Sequence, residues 1–397
     1  MPIDQAPFTD LISEIIDNRG RTCPTAEHGV PLIATNCVVN DRLFPVHEKL
    51  RYVSEKTYLS WFRGHPIPGD IIFVCKGSPG NVAIAPDPVG FCIAQDMVAV
   101  RADPRVVYPR FLFAALRSPL VQSRINNLHV GTLIPHFKKG DFDKLLIPMP
   151  DKATQVLIGD MYYELSAKIE ANERLAEGCD RLANAELSRL LQTSEEDGTL
   201  ITSKLGDVAD VNLRTVKPAP GTLTYLDISS VSVGKARPPT RMAWADAPSR
   251  ARRGVASGDV LWSTVRPNRR SHCLLLDPPK DLVVSTGFAV LTPRQVGPSF
   301  LYGISERQEF VDYLISVADG SAYPAVRADR FSEAPILLPT RDALASYESS
   351  TMILRERGAA AHRESNLLLQ LRDVLLRNLL SGVRAVSNDE SMAKEEV

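Results

Sequence analysis

The stretch Gly131–Gln155, GTLIPHFKKGDFDKLLIPMPDKATQ, returns in altered form at Gly320–Leu344, GSAYPAVRADRFSEAPILLPTRDAL. Five residues keep their spacing in the two stretches, and each pair lies 189 positions apart: Gly131/Gly320, Pro135/Pro324, Phe142/Phe331, Ile147/Ile336 and Pro150/Pro339. The same separation relates Gly69–Ile71 to Gly258–Val260 and Pro109–Leu112 to Pro298–Leu301. Three blocks at one constant separation indicate a unit of about 190 residues that occurs twice, so we expect two similar halves.

Length and composition are typical of a soluble globular protein. The chain has 397 residues, of which 44% are hydrophobic and 23% charged, enough for two or three domains. It has no apolar run of about 18 residues, and its start, MPIDQAPFTD, lacks a basic segment and an apolar core, so we expect no transmembrane helix and no signal peptide. The six cysteines are scattered without a CxxC pair, which is typical of reduced, buried thiols in a cytoplasmic protein.

Charge is unevenly distributed along the chain. The net charge is −1, which by itself argues against a nucleic-acid-binding protein. Residues 151–198, however, carry 11 acidic and 5 basic residues, whereas residues 1–150 and 199–340 have net charges of +2 and +4. The two large blocks are therefore mildly basic, which allows anionic partners there without requiring them.

Each repeat begins with a block of short apolar runs broken by proline and glycine. Runs rich in β-branched and aromatic residues predict four strands: Asp70–Val74, Met97–Val100, Asp259–Ser263 and Leu282–Val284. Short helices are expected after Pro109 and Pro298, where Phe-Leu pairs begin a helical spacing. The fold class predicted for each block is therefore α+β.

Each repeat ends in a pattern typical of one long helix. No proline occurs from Asp151 to about Gln192 or from Asp342 to about Leu380. In the first helix, eight apolar residues fall mainly on one face: Ile158, Met161, Leu165, Ile169, Leu175, Leu182, Leu187 and Leu190. In the second helix, four leucines match members of that stripe at the separation of 189: Leu354, Leu371, Leu376 and Leu379.

A long helix cannot bury such a stripe alone. The predicted solution is that the two helices pack on each other, antiparallel, as a coiled coil. Four residues interrupt the stripe: Asn172, Thr351, Gly358 and Ser365. The alternative is two separate helices, each packed on its own block.

The predicted domain scheme has two blocks and two helices. The blocks are residues 1–150 and 199–340, and the helices are residues 151–193 and 341–384. The polar segment Thr193–Thr199, TSEEDGT, is predicted to be a linker. Residues 385–397 are charged without apolar anchors and are predicted to be a disordered tail.

The order block, helix, block, helix, with the repeated Gly, Pro, Phe, Ile, Pro pattern, resembles the specificity (S) subunit of type I restriction-modification systems. The resemblance covers Phe8 to about Arg384 and has further carriers in the block openings and the first helix: Lys204–Ala209, Thr9–Ile12, Gln155–Ile158 and Lys168–Asn172. Two features depart from the family. Gln155 is matched by Leu344 rather than by a second Gln, and the first opening lacks the Gly-Asp of Gly206-Asp207.

The resemblance implies both architecture and function. It implies two similar target-recognition domains, related by a pseudo-two-fold internal repeat, that each read half of a split, asymmetric site in double-stranded DNA. The two long helices would separate these domains and dock two DNA adenine methyltransferase (M) subunits and, through them, restriction (R) subunits. It implies a chain without catalysis and without cofactors, because S-adenosylmethionine, ATP and Mg belong to the partner subunits.

Two other classes remain open from the sequence. The first alternative is an S-like subunit of a fused type II-like restriction-modification system. The second is a helical protein-interaction scaffold that no longer reads DNA.

The sequence has no convincing catalytic or metal-binding motif. Asp277–Lys280, DPPK, differs from the DPPY loop of amino-methyltransferases at the aromatic position that stacks a flipped base, and it is predicted to be a turn. No GxxxxGK[ST] phosphate loop occurs, and the seven histidines have no metal-ligand spacing.

Polar and basic clusters in predicted loops are the candidate DNA-binding residues. In the second block, a cluster follows the strand Asp259–Ser263: Arg266, Asn268, Arg269 and Arg270. In the first block, Lys76, Ser78 and Asn81 occupy the matching place. Arg suits guanine edges and Asn suits adenine edges, each through two parallel hydrogen bonds. The alternative is that each cluster is a solvated turn.

Further candidates flank the repeated glycines and the block openings. His136, Lys138 and Lys139 follow Gly131, and Tyr323 and Arg327 follow Gly320. Matching places after the openings hold Arg19 and Arg21 in the first block and Arg214 and Lys217 in the second. Lysines would contact phosphates, which position a protein on DNA without specifying sequence. The alternative is an exposed charged loop, and the run Arg250, Arg252 and Arg253 is typical of a plain solvated surface.

Overall fold

The computed structural model describes residues 4–17, 22–128, 135–320 and 323–381. The chain forms two compact units. Unit 1 comprises the residues up to Ala171 together with those from Leu367 onward, and unit 2 comprises Asn172–Asn366. Both long helices pass from one unit into the other, so each unit contains one block and a part of each helix. The predicted disordered tail and Gly131 lie outside the described residues.

Unit 1 contains nine short strands and three short helices in its described block. The strands are β1 Asp4–Pro7, β2 Ile12–Asp17, β3 Val30–Ile33, β4 Arg51–Val53, β5 Ile71–Val74, β6 Val82–Ile84, β7 Cys92–Ile93, β8 Met97–Ala102 and β9 Leu146–Met149. The helices are α1 Glu55–Trp61, α2 Pro109–Arg117 and α3 Pro119–Leu128. The long helix α4, Lys152–Glu196, begins directly after this block.

Unit 2 contains ten strands in its described block. They are β10 Ile201–Lys204, β11 Ala209–Val211, β12 Thr222–Leu226, β13 Thr240–Ala243, β14 Ala251–Gly254, β15 Val260–Ser263, β16 His272–Leu274, β17 Leu282–Ser285, β18 Phe288–Pro293 and β19 Pro335–Leu338. The helices are α5 Leu205–Val208, α6 Pro298–Glu306, α7 Gln308–Ser316 and α8 Ala328–Ser332. The second long helix, α9, is Arg341–Ser381.

The two blocks share most of their topology, and unit 2 has one additional strand, β14. The antiparallel sheet β2-β8-β5-β6 of unit 1 corresponds to β11-β18-β15-β16 of unit 2. Each block also has a second sheet built on one parallel pair, β3 with β7 in the three-stranded sheet of unit 1 and β12 with β17 in the four-stranded sheet of unit 2. A two-stranded sheet joins the first and last strands of each block. The predicted α+β class, the internal repeat, and the short helices after Pro109 and Pro298 are thus confirmed.

The residues that recur in the sequence lie in the core of each block. Phe142 and Ile147 are fully buried in unit 1, and Phe331 and Ile336 are buried in unit 2. Phe142 lies between Phe8 and Phe73, with ring centroids 5.0 and 5.2 Å away. Burial of such aromatic side chains dominates core energetics, so the repeat preserves the residues on which each block depends.

The separation of 189 does not extend to the block openings. Ala6 of β1 faces Ile147 of β9, whereas Ser203 of β10 faces Ile336 of β19, so the openings are 197 residues apart. The second block is therefore eight residues shorter between its opening and Asp259 than the first block is before Asp70.

Helices α4 and α9 run antiparallel within each unit, as predicted. In unit 2, Asn172 Nδ2 donates to Glu364 Oε2 at 2.8 Å, and Arg355 Nη1 donates to Asp180 Oδ1 at 2.7 Å. In unit 1, Arg372 Nη1 donates to Ser166 Oγ at 3.2 Å. Partner numbers rise on one helix as they fall on the other, which is the antiparallel signature. Helix α4 continues to Glu196, so the residues 193–196 of the predicted linker are helical.

The predicted face of the helix pair is partly wrong. Leu182 and Leu371 are 59% and 48% exposed, and Leu175 is also exposed. The four residues that interrupt the apolar stripe, Asn172, Thr351, Gly358 and Ser365, are all buried instead. An added Cβ at Gly358 would lie 3.7 Å from Ala176 Cα, so small residues let the helix backbones approach closely at this point. The seam is therefore narrow and partly polar, and several leucines face away from it.

The six cysteines are buried and unpaired, as expected for reduced thiols. Burial raises the pKa of Cys75, Cys92 and Cys273 to about 12 in each case, so these thiols stay protonated. Among the described residues, no helix combines the length and apolarity needed to cross a membrane.

Candidate nucleic-acid interface

The two predicted loop clusters occupy equivalent hairpins. In unit 1 the residues 75–81 connect β5 to β6, and in unit 2 the residues 264–271 connect β15 to β16. Both hairpins lie at the same edge of the corresponding four-stranded sheets. The prediction that the clusters sit at one point of the repeat therefore agrees with the topology.

Each hairpin is held by the segment that follows the repeated glycine. In unit 1, Gly77 N–H donates to Pro135 O at 3.0 Å, and Phe137 N–H donates to Cys75 O at 2.8 Å. In unit 2, Arg266 N–H donates to Pro324 O at 2.7 Å, and Val326 N–H donates to Thr264 O at 2.8 Å.

Every one of these four donors and acceptors in unit 1 has its counterpart 189 residues later in unit 2. The bridges Lys76–His136 and Val265–Ala325 complete this match. One backbone frame, here called the hairpin frame, therefore brings the two predicted clusters of each block together.

The repeated Gly-Asp pair supports the same strands from their other end. Gly69 and Gly258 have φ values of +89° and +90°, which side chains other than glycine rarely adopt. Asp70 and Asp259 are buried and accept hydrogen bonds from the N–H groups of Ile67 (2.9 Å) and Ala256 (2.7 Å). The pair thus shapes a turn before β5 and β15 and has no direct place at the candidate interface.

In unit 2, two arginines of the cluster fix the loop. Arg266 and Arg270 both have left-handed backbone conformations, with φ values of 53° and 54° around a 3-10 turn at Pro267–Arg269. The Arg266 guanidinium lies 4.3 Å from the centroid of the Tyr323 ring, and Arg270 Nη2 donates to Glu306 O at 2.7 Å. Non-glycine residues persist in this conformation only where surrounding contacts impose it, so these contacts preorganise the loop.

The remaining predicted residues of unit 2 differ in exposure. Asn268, Arg269 and Lys217 are exposed, as is Arg327, which lies about 4 Å from carboxylates of Asp319 and Asp329. Arg214, in contrast, donates to the buried carboxylate of Asp259 at 2.8 Å. Arg214 is therefore half-buried, with its guanidinium bonded to an interior carboxylate.

In unit 1, the predicted residues also divide between the interior and the surface. Asn81 Nδ2 donates to Val38 O at 3.0 Å, and Lys76 and His136 are half-buried where their backbones pair. Ser78, Lys138 and Lys139 are exposed, and Lys139 pairs with Asp17. Arg19 and Arg21 lie outside the described residues.

Sequence reasoning missed a polar pair behind the loop of unit 2, the buried His272 and the partly buried Glu306. His272 and Glu306 are joined by a 2.9 Å hydrogen bond. No sequence pattern connects residues 34 positions apart on a strand and a helix. Neither residue stands out in the sequence, because His272 follows Arg269–Ser271 and Glu306 precedes Arg307–Glu309, which are polar segments.

Comparisons with known proteins agree with this architecture. The family described as "Type I restriction modification DNA specificity domain" matches residues 24–177. The type I restriction enzyme HindI specificity subunit of Haemophilus influenzae is 27% identical over 101 residues, which are 24% of this chain and 22% of that protein's length. The crystal structure of a type I restriction-modification S subunit from M. genitalium matches over 95% of this chain and 96% of that chain, with a TM-score of 0.60 and 16% identity.

The fold and the duplicated hairpin frame define a class of protein in which two α+β blocks of similar topology alternate with two long helices. Residues 24–177 match the model of the type I restriction-modification DNA specificity domain, and the chain shares the fold of a type I S subunit.

Proposed function

We propose that this chain is the DNA sequence-recognition subunit of a type I restriction-modification complex and binds a split, asymmetric site in double-stranded DNA. The observation that carries the proposal is that one hairpin frame occurs twice and presents unlike side chains. Asn268 and Arg269 are exposed in the second block, and Ser78 and Lys138 are exposed in the first. Asn and Arg suit base edges, whereas Lys suits phosphates, so the two loops would read different half-sites.

The affinity of the isolated chain for DNA should be low. Phosphate contacts dominate affinity, and the net charge of this chain is −1. The exposed Arg327 and Lys217 would add phosphate contacts in the second block, as Lys138 and Lys139 would in the first. The methyltransferase subunits would supply much of the remaining positive surface.

The exposed leucines of the long helices favour docking of two DNA adenine methyltransferase (M) subunits. Leu182 of α4 and Leu371 of α9 are matched by the repeat, and both are exposed. On α9, Leu367, Leu371 and Val374 are exposed at helical spacing and form one apolar face. Exposed apolar faces are typical of protein interfaces. On α4 the positions that match Leu367 and Val374 hold Gly178 and Ala185, so the repeat shares only the exposed Leu182 and Leu371. One exposed leucine per repeat fits two identical partners, which would in turn recruit restriction (R) subunits.

The remaining parts of the proposal follow from the S-subunit role. The chain would have no catalytic activity and no cofactor of its own. S-adenosylmethionine, ATP and Mg would act on the partner subunits, in the cytoplasm. The target-recognition domains would be residues 1–150 and 199–340, with residues 151–193 and 341–384 as the helical spacer.

Co-expression with the methyltransferase subunits tests whether the chain recognises a DNA sequence. We expect single-molecule sequencing of the modified DNA to give one asymmetric motif made of two short half-sites and a gap. Random or absent methylation by a complete complex would contradict the proposal. Capture of a combined nuclease-methyltransferase would favour the type II-like alternative, and capture of partners without any motif would favour the scaffold.

Docking is tested separately with Leu182→Asp and Leu371→Asp. Each variant should lose one of two methyltransferase subunits in native mass spectrometry, because a carboxylate cannot be buried unpaired in an apolar contact. Leu59→Asp is the matched control, since Leu59 is 72% exposed on α1 of the first block. Two bound subunits in both helix variants would refute this docking face.

A further inference from the structure

The candidate loop of unit 2 ends on a buried histidine with two hydrogen-bond partners. His272 is 1% exposed. Its Nδ1 lies 2.6 Å from Arg270 O in the loop, and its Nε2 lies 2.9 Å from Glu306 Oε1 at the end of α6. Both ring nitrogens therefore lie within hydrogen-bonding distance of an oxygen atom, one in the loop and one on α6.

Glu306 connects this histidine to both long helices inside unit 2. Its carboxylate accepts a hydrogen bond from Asn184 Nδ2 of α4 at 3.2 Å and lies 4.0 Å from Arg355 Nη2 of α9. Arg355 also donates to Asn184 Oδ1 at 2.7 Å, which closes the network. Burial opposes ionisation of Glu306, but His272 and Arg355 outweigh it and hold the pKa of Glu306 below its ordinary value.

The ring of His272 has a fixed orientation. It stacks on Trp262 with centroids 4.5 Å apart and an interplanar angle of 10°. Trp262 Nε1 in turn donates to Ser305 Oγ of α6 at 3.0 Å. A side chain that is stacked, buried and in contact with oxygen atoms at both ring nitrogens is held in one orientation between the loop and α6.

The first block lacks this connection. The residue 189 positions before Glu306 is Arg117, whose guanidinium donates to Val82 O at 2.6 Å instead. The network is therefore a property of the second block and lies outside the shared frame.

We propose that His272 and Glu306 are positioning residues that couple the conformation of the loop Thr264–Ser271 to the packing of α4 and α9 within unit 2. A change imposed on the helices alters the loop, and a ligand held by the loop alters the helices by the same free energy, since coupling is reciprocal. What the loop reads rests on the proposed function, whereas the coupling itself does not.

Amide hydrogen exchange on the full chain tests the coupling without DNA. His272→Phe keeps a ring on Trp262 but removes both nitrogens, and Glu306→Gln keeps the shape but removes the charge. We expect each to lower the protection of residues 264–271 about tenfold, the equivalent of about 1.4 kcal/mol. His272→Asn retains a donor near Nδ1 and should recover part of the protection. Glu309→Gln, on the exposed side of the neighbouring α7, is the control and should change nothing.

Two outcomes overturn the coupling. Unchanged loop protection in both His272→Phe and Glu306→Gln is one. The other is protection lost equally in β12 and β17, because the residues would then stabilise the block as a whole.

Sequencing of methylated DNA from the assembled complex provides the second readout. Relaxed recognition of one half-site, with the other unaltered, is expected for Glu306→Gln. If the unaltered complex methylates no defined sequence, the proposed function fails, and the exchange result still decides the coupling. If the motif is defined and Glu306→Gln leaves both half-sites unchanged, the positioning role is refuted.

Discussion

Replacement of Arg355 by Met should strongly destabilise unit 2. The Arg355 side chain is 2% exposed, donates to Asp180 and Asn184 at 2.7 Å each, and lies 4.0 Å from Glu306. Burial opposes its charge, but Asp180, Tyr302 and Glu306 outweigh burial and raise the pKa of Arg355. Met fills most of the space, so the main loss is the cation that pairs with Asp180 and faces Glu306. Removing one partner of a buried pair costs about 3–5 kcal/mol, and we expect about 3 because His272 and Asn184 remain.

Unfolding in guanidinium chloride, monitored by the fluorescence of Trp262, measures the loss in the free energy of unfolding. Trp61 and Trp244 are replaced by Phe in every protein compared, so that the signal comes from the core of unit 2. Arg357→Met, at an exposed position of α9, is the matched control and should change stability by less than about 0.5 kcal/mol. The double variant Arg355→Met with Glu306→Gln should recover part of the loss, because it removes the unpaired charge.

The pH dependence gives an independent check on the same pair. Because the folded pKa of Glu306 is lowered, its ionised form contributes stability above the unfolded value near 4.5, and this contribution is lost as the pH falls through the lower folded pKa. Arg355 is one cause of the lowered pKa, so Arg355→Met should make stability less dependent on pH in that acidic window. A loss below about 1 kcal/mol with an unchanged pH dependence would refute the reasoning.

Three other predictions concern the loop, the spacer and a helix contact. Arg269→Ala should relax one half-site in methylated-site sequencing, whereas an equal loss at all sequences would indicate a phosphate contact. Deletion of residues 172–178 from α4 together with the facing 359–365 from α9 should shorten the gap between half-sites by about 3 base pairs, because seven helical residues span about 10 Å; an unchanged gap would contradict a spacer role. Gly159→Ala should lower the thermal midpoint, since its Cβ would lie 2.6 Å from Phe111 N, whereas Gly178→Ala has open space and should raise it slightly. Equal shifts in the two glycine variants would argue against the close contact.

The architecture was predictable because it depends on patterns that repeat. The matched pairs Phe142/Phe331 and Ile147/Ile336 are core residues in both blocks, and the absence of proline over some 40 residues marked each helix. The location of the candidate loops also followed from the repeat, since equal positions in a duplicated fold lie on equal hairpins.

The face of the helix pair was less predictable. A spacing of three to four residues identifies a helix, but it does not set the rotation of the helix when small and polar residues fill the seam. Gly358 is buried for that reason, while Leu182, a better hydrophobic residue, is exposed. Leucines at exposed positions fit the proposed docking role. The apolar spacing in the sequence cannot by itself distinguish these exposed leucines from buried ones.

The sequence by itself determined that this protein consists of two like α+β blocks and two long helices, and where along the chain each candidate loop lies. Only the tertiary structure decided which residues of those loops are exposed. The side chains of Arg270 and Asn81 donate hydrogen bonds to the backbone oxygens of Glu306 and Val38, and that of Arg214 donates to the Asp259 carboxylate. Asn268, Arg269 and Ser78 are exposed. The reason is physical: a polar side chain is held inside by partners 36 to 45 residues away, and such partners become neighbours only when the chain folds.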